Sequence, residues 1–289
     1  MGLELTDSGF DFSVLCEFRA RLVAGGVEQQ LLDTLLKQFK ERGWLKERRL
    51  QRTDSTHVLA AIRDLNRLEG VGETLRAALN DLATVAPDWL RSWAPDEWYE
   101  RYGRAVEEYR LPKGIAARKE YAKLIGRDGM QLLVAVWAEN VLDWLKLVPS
   151  LEILRQTWVH QYYLENDQVR LRAATNLAPP GSRFDSPYDT DARFGNKRSV
   201  TWTGYKVHLT ETCDENQVHL ITHAITTQAQ ISDVTQTASI HRALATKDLL
   251  PSQHIVDAGY VDSNLIVISR KQYGVDLVGP VRPNVRRHR

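Results

Sequence analysis

The stretch QHIVDAGYVDS at residues 253–263 is the part of the sequence that best indicates the fold. Ile255 and Val256 end a short apolar run that stops before Gly259, and this pattern predicts a short buried strand. Asp257 directly follows that strand. Ligands gather at the carboxyl ends of strands in open α/β sheets, so Asp257 is a candidate metal ligand or base. The alternative is that this aspartate only caps a helix.

A second carboxylate occupies a similar place in QRTDSTH at residues 51–57. Asp54 stands where an extended segment gives way to apolar residues at helical spacing, which begin with Val58 and Leu59. Helix capping by Asp54 or Ser55 is again the alternative. The sequence thus predicts two strand-end aspartates that a long helical segment separates.

These segments resemble the DDE transposases of bacterial insertion sequences, whose catalytic domain has the ribonuclease H fold. The matching motifs are TDSTHV at 53–58, GYKVHL at 204–209 and VDAGYVDS at 256–263. The resemblance implies that Asp54 and Asp257 are the first two catalytic acids and bind Mg²⁺ or Mn²⁺. It also implies metal-dependent DNA cleavage and strand transfer, with double-stranded DNA at transposon ends as the partner and a homodimer as a possible assembly.

The third acid of the resembling family is a glutamate from a later helix, and this chain departs from that pattern. No glutamate occurs from Asp257 to Arg289. We therefore expect an inactive transposase fragment, shortened at both ends. Asp191 is a reserve candidate for a metal ligand in place of Asp54. The other interpretations are a non-catalytic DNA-binding remnant and a helical interaction protein whose aspartates are only caps.

The order of periodic segments predicts the architecture. It is strand, helical insertion, two antiparallel strands, helix, strand, helix, strand. This order resembles an α/β fold with a ribonuclease H-like mixed sheet, a long α-helical insertion after the first strand and a partial helical N-terminal domain. The predicted boundaries are 1–47 for the N-terminal domain, 48–57 plus 200–289 for the incomplete catalytic domain, and 58–199 for the helical insertion and a basic loop.

Two finer predictions concern the insertion and the strand that follows it. Helices are expected at 115–125, 130–147 and 151–165. In the strand after the basic loop, alternation places Tyr205, Val207 and Leu209 on one face and Lys206, His208 and Thr210 on the other.

The net charge of +1 does not point to nucleic acid, so DNA binding must depend on local basic patches. The best candidate combines a loop with the strand after it and contains Arg193, Lys197, Arg198 and Lys206. Aromatic residues interleaved with arginines at 87–109 are a second candidate. Tryptophans at helical spacing more often form a core.

The expected location is the cytoplasm. The two cysteines are too few for a disulfide framework, and residues 1–8 lack the features of a signal peptide. The most apolar predicted helix, at 130–148, carries Glu139, Asp143 and Lys146, which argues against a membrane span.

Overall fold

The computed structural model describes residues 9, 11–62, 65–139, 141–197 and 199–280. The chain divides into two compact units. Unit 1 comprises Met1–Asp54, His208–Ile225 and Ser232–Arg289, and unit 2 comprises Ser55–Val207 and Thr226–Ile231.

The α-helices and strands have the following bounds. The helices are α1 (Phe12–Gly25), α2 (Glu28–Glu41), α3 (Arg67–Val85), α4 (Pro87–Arg91), α5 (Glu97–Tyr102), α6 (Ile115–Val136), α7 (Pro149–Gln161), α8 (Thr237–Thr246) and α9 (Ser263–Ile268). The strands are β1 (Leu50–Leu59), β2 (Tyr162–Glu165), β3 (Gln168–Leu171), β4 (Arg193–Lys197), β5 (Val200–Thr212), β6 (Ile221–Gln228), β7 (Gln253–Val256) and β8 (Asp276–Val278). A π-helical turn, Ser269–Tyr273, continues α9.

The main sheet contains parallel and antiparallel strands. Among the described residues its order is β4-β5-β1-β7-β8, and β6 also pairs with β5. β1, β7 and β8 run parallel. β5 runs antiparallel to β1, because the amide of Cys213 donates to Leu50 at one end and the amide of Ala60 donates to Thr203 at the other. The prediction of an α/β protein with a mixed sheet is confirmed at this level.

The core of unit 1 forms where helices cover one face of the sheet. Leu36 of α2 joins Ile240 and Leu244 of α8, together with Val256 of β7 and Leu277 of β8. Each of these side chains is at least nine-tenths buried. Burial of a side chain of this size stabilises the fold by about 1.5–3 kcal/mol. The apolar spacing of α2 and α8 is therefore explained by packing on the sheet.

The core of unit 2 is helical and centres on α3, α6 and α7. Trp158 of α7 is buried, and its indole N–H donates to the carbonyl of Gly126 on α6 at 2.9 Å. The Tyr162 hydroxyl donates to the carbonyl of Ala122 on the same helix at 3.0 Å. Because the glycines of α6 have no side chain, these large rings approach its backbone closely. The helix α6 is continuous, so the prediction of two helices separated near residue 126 is wrong.

Two further boundaries differ from the prediction. Val58 and Leu59 continue β1 instead of starting a helix, and α3 begins only at Arg67. The predicted helix at 151–165 ends at Gln161 and is followed by the β2-β3 hairpin. The hairpin turn places Asn166 and Asp167 in the left-handed region, with φ of 49° and 59°, a conformation that these residue types tolerate well.

Within the described part of the chain, none of the helices has the length and apolar character needed to cross a membrane.

Candidate functional site

Asp54 lies inside strand β1, five residues before its end. The prediction that a helix starts after this aspartate is therefore wrong, and so is the interpretation of Asp54 as a helix cap. Gln51 and Thr53 are buried, whereas Arg52 and Asp54 are exposed. Side chains alternate between the two faces of a strand, so Asp54 lies on the face opposite Thr53.

Asp257 directly follows β7, the parallel neighbour of β1. The last paired residues of the two strands are Thr53 and Val256, so Asp54 and Asp257 occupy the next position on each chain. Both aspartates are exposed. Neighbouring strands lie about 4.8 Å apart, and residues at equivalent positions project from the same face. The register thus places the backbones of Asp54 and Asp257 one residue beyond the last paired positions of neighbouring strands.

Gly259 sits between two carboxylates after β7. Its amide donates to Oδ1 of Asp257 at 2.8 Å, which fixes a tight turn. A Cβ atom at position 259 would lie 2.8 Å from Oδ1 of Asp257 and 3.2 Å from Oδ2 of Asp233. Any larger residue would therefore push against both acids. Sequence reasoning missed Asp233 as a neighbour of Asp257, because nothing in the spacing of the two residues relates them.

The carboxylates of Asp54 and Asp257 are the kind of ligand that a hard cation prefers. Magnesium prefers oxygen ligands and is often held by one or two carboxylates, with water completing its shell. In the residues for which the structure gives positions, no three or more His, Cys, Asp or Glu side chains converge to hold a metal ion.

A chain of buried hydrogen bonds links the strands that carry these aspartates. The Thr53 hydroxyl lies 2.7 Å from the Thr210 hydroxyl of β5 and 2.7 Å from Nε2 of His254 on β7. Nδ1 of His254 lies 2.8 Å from Nε2 of His241 on α8, and Nδ1 of His241 lies 3.3 Å from the Ser269 hydroxyl. Buried polar chains of this kind rigidify a core when every member is satisfied. This chain therefore holds β1 beside β7 on the face opposite Asp54.

His241 and His254, the two histidines in this chain of hydrogen bonds, are neutral near pH 7. Burial lowers the pKa of His241 to about 4. Burial, with a smaller contribution from the neighbouring His241, lowers the pKa of His254 to about 3. The low pKa values follow from the cost of burying a charged imidazole.

Two of the four residues predicted to form a basic surface, Arg193 and Lys206, are buried. Arg193 is buried, and its guanidinium donates to the carbonyls of Thr190 and Ala192. Lys206 is also buried, and its ammonium donates to the carbonyl of Ile231. The face of β5 that carries Lys206, His208 and Thr210 is therefore the buried one.

Of the other two basic residues, Lys197 is exposed at the end of β4, whereas Arg198 lies outside the described residues. Asp191, the reserve metal ligand, is exposed, and its Oδ1 accepts a hydrogen bond from the Gln228 amide at 3.5 Å. Nothing in its contacts sets it apart as a ligand.

The aromatic stretch at 87–109 forms mostly core. Trp93 and Trp98 meet edge to face with ring centroids 5.6 Å apart, and Trp98 meets Tyr102 in the same way at 6.3 Å. Tyr99 and Tyr109 are the exposed aromatic rings of this segment among the described residues. The arrangement supports the interpretation of the tryptophans as core residues.

The best candidate site is thus Asp54 on β1 together with Asp257 after β7. The buried histidines link these two strands on the face opposite Asp54. No family model, curated protein or solved structure matches this chain.

Proposed function

We propose that this chain carries a ribonuclease H-like domain related to the DDE transposases of insertion sequences. One observation carries the proposal. The strand order β6-β5-β1-β7-β8, with β1, β7 and β8 parallel, puts Asp54 and Asp257 at equivalent positions, each one residue past the last pair of two neighbouring strands. Two acids on neighbouring strands are what the resembling motifs imply.

In this proposal Asp54 and Asp257 bind Mg²⁺ or Mn²⁺, and the partner is double-stranded DNA at transposon ends. When bound, such an ion activates the attacking oxygen of a phosphodiester displacement and neutralises charge on the leaving oxygen. The chain's own contribution is to hold the two aspartates on neighbouring strands of one sheet. The hydrogen bond from the Gly259 amide orients the carboxylate of Asp257. The proposed assembly is a homodimer.

The first test is cation binding. We expect the 289-residue chain to bind one Mn²⁺ weakly, and Asp54→Asn or Asp257→Asn to weaken that binding about tenfold or more, because each removes a charged oxygen ligand. Asp276→Asn is the control, since Asp276 lies on β8 of the same sheet and pairs with Arg270. Titration monitored by electron paramagnetic resonance measures free Mn²⁺ directly. Equal affinity in all four proteins would contradict the proposed site.

The second test is catalysis. We expect this chain to show no strand transfer, because the two-ion mechanism needs a third acidic ligand and no glutamate follows Asp257 in the chain. Loss of one ligand misplaces an ion against the scissile phosphate, so the expected rate deficit is several powers of ten. The measurement is cleavage and joining of labelled transposon-end DNA with Mg²⁺ or Mn²⁺. Efficient cleavage that Asp257→Asn abolishes would show that another carboxylate completes the site.

A second candidate function is favoured by the hydrogen bond from the Gly259 amide to Asp257. That bond gives Asp257 a structural role in a turn, which is enough to explain an aspartate at this position. On this interpretation the chain is a non-catalytic DNA-binding or interaction protein. The Mn²⁺ titration separates the two candidates, because a purely structural Asp257 predicts no specific cation binding.

A further inference from the structure

A small polar cavity in unit 2 lies outside the site proposed above. The first turns of α3 form one wall, the C-terminal part of α7 forms a second, and residues 183–187 close it. Its volume is about 180 Å³. A water molecule takes up about 30 Å³ of liquid, and sites for whole drug-sized ligands start near about 300 Å³. The cavity therefore has room for a small ion with a few waters and not for a complete nucleotide.

Two arginines, Arg67 and Arg183, line this cavity. Neither Arg67 nor Arg183 forms an ion pair with any residue that the structure describes. Nε of Arg67 donates to the side-chain carbonyl of Gln161 at 2.6 Å, so its guanidinium is held in place by a neutral group. Burial, with a smaller contribution from the charge of Arg183, lowers the pKa of Arg67. Two like charges thus face a shared space, which an anion would stabilise.

Two buried donors around the cavity lack partners among the residues that the structure describes. Thr157 is 8% exposed, and its hydroxyl has no hydrogen-bond partner among the described residues. Nε of Arg183 is likewise buried without a partner in that part of the chain. Buried polar groups are paired in most folded proteins, so unpaired donors around a cavity indicate a missing acceptor. An oxyanion supplies several acceptors at once.

One acidic side chain, Asp185, also lines the cavity. Oδ2 of Asp185 accepts a hydrogen bond from the backbone amide of Phe194 at 2.7 Å. Two arginines against one carboxylate leave the net charge of the lining positive. The electrostatics of the cavity thus favour an anion.

We propose that this cavity binds a phosphate group, held by the guanidinium groups of Arg67 and Arg183 and by the Thr157 hydroxyl. Guanidinium forks match the oxygens of phosphate in charge and geometry, and such charge-assisted bonds are about twice as strong as neutral ones. The phosphate is either a free ion or part of a DNA backbone. The site is separate from Asp54 and Asp257, so it stands or falls independently of the proposed function.

The test is calorimetric titration with inorganic phosphate at constant ionic strength. We expect saturable binding that Arg67→Gln or Arg183→Gln weakens about tenfold or more, because each substitution removes a charge-assisted contact. Arg183→Lys should weaken binding less, since it keeps the charge but loses the fork. Arg155→Gln is the matched control. Arg155 lies on α7, is exposed and pairs with Glu152, so its loss changes the net charge equally and should leave phosphate affinity within about twofold.

Thr157→Val provides a second, nearly isosteric probe that removes only the hydroxyl, and circular dichroism checks that each variant folds. Binding of a short DNA duplex across a salt series then distinguishes the two sources. A reduced salt slope in Arg67→Gln and Arg183→Gln identifies a DNA phosphate, whereas unchanged DNA binding with weakened phosphate binding identifies a free ion. Absence of saturable phosphate binding, or equal affinity in folded wild type and both glutamine variants, overturns the proposal.

Discussion

Gly129→Ala is expected to destabilise unit 2 by about 3 kcal/mol. A Cβ atom at this position of α6 would lie within 3.0 Å of the Trp158 ring, closer than real side-chain contacts. Trp158 cannot move aside cheaply, because it is buried and its indole N–H is bonded to the Gly126 carbonyl. The added methyl group must therefore force α6 and α7 apart or strain the ring.

Gly70→Ala is the matched control in another helix of the same unit. A Cβ atom at this position of α3 meets nothing within 4 Å. The substitution should stabilise the protein by about 0.4–1 kcal/mol, since alanine loses less backbone freedom on folding than glycine. Urea unfolding followed by tryptophan fluorescence measures both changes, because every tryptophan except Trp44 belongs to unit 2. Similar stability in both variants would contradict the close packing of Trp158 on α6.

Acid is expected to weaken unit 1 well above the pH at which carboxylates titrate. His241 and His254 have pKa values of about 4 and about 3 in the folded chain, against an ordinary value of 6.5. Below pH 6.5 the unfolded chain therefore binds more protons than the folded one. The stabilising contribution of the neutral histidines is complete above that pH and falls as the pH drops toward 4. In this range each histidine changes the free energy of unfolding by about 1.4 kcal/mol per pH unit.

Hydrogen exchange of the β7 amides, corrected for intrinsic rates, measures this loss within unit 1. His254→Gln should reduce the slope between pH 6.5 and 4.5, although it also lowers stability at neutral pH. His219→Gln is the control, because His219 is exposed on the loop between β5 and β6 and should leave the slope unchanged. His223 is buried and its pKa is also lowered by burial, so some acid sensitivity should remain in His254→Gln. A slope unaffected by His254→Gln would contradict the neutral buried chain.

The order of elements in unit 1 was predictable, because the period of apolar residues changes visibly between strand and helix. The hairpin of β5 and β6 and the helix-strand-helix-strand order after it follow that signal. The end of β1 could not be predicted from that signal, because Val58 and Leu59 fit a helix face and a strand equally well. The β-branched residues Thr56 and Val58 favour the strand that is observed. In unit 2 the pair Asn166-Asp167 was an available turn signal for the hairpin of β2 and β3.

The candidate site was predictable only in part. Asp54 and Asp257 could be selected because each stands at or near an extended segment, and the parallel pairing of β1 with β7 then relates them. The buried face of β5 could not be assigned, because Lys206, His208 and Thr210 look like a solvent-facing set. The polar face is tolerated inside only because partners distant in sequence satisfy it, as Tyr260 does for His208 at 2.5 Å. The cavity of Arg67 and Arg183 likewise depends on segments that no local pattern connects.

The buried chain from Thr210 to Ser269 also restricts where protons reside. Both imidazoles are neutral, so each has one N–H donor and one bare acceptor nitrogen. If Nδ1 of His254 carries the proton, it donates to Nε2 of His241, and His241 must then carry its own proton on Nδ1, facing Ser269. If the bond runs the other way, both rings are protonated on Nε2, and His254 donates to Thr53. The two histidines therefore share one tautomer, and changing it in either ring requires every hydroxyl along the chain to reverse direction.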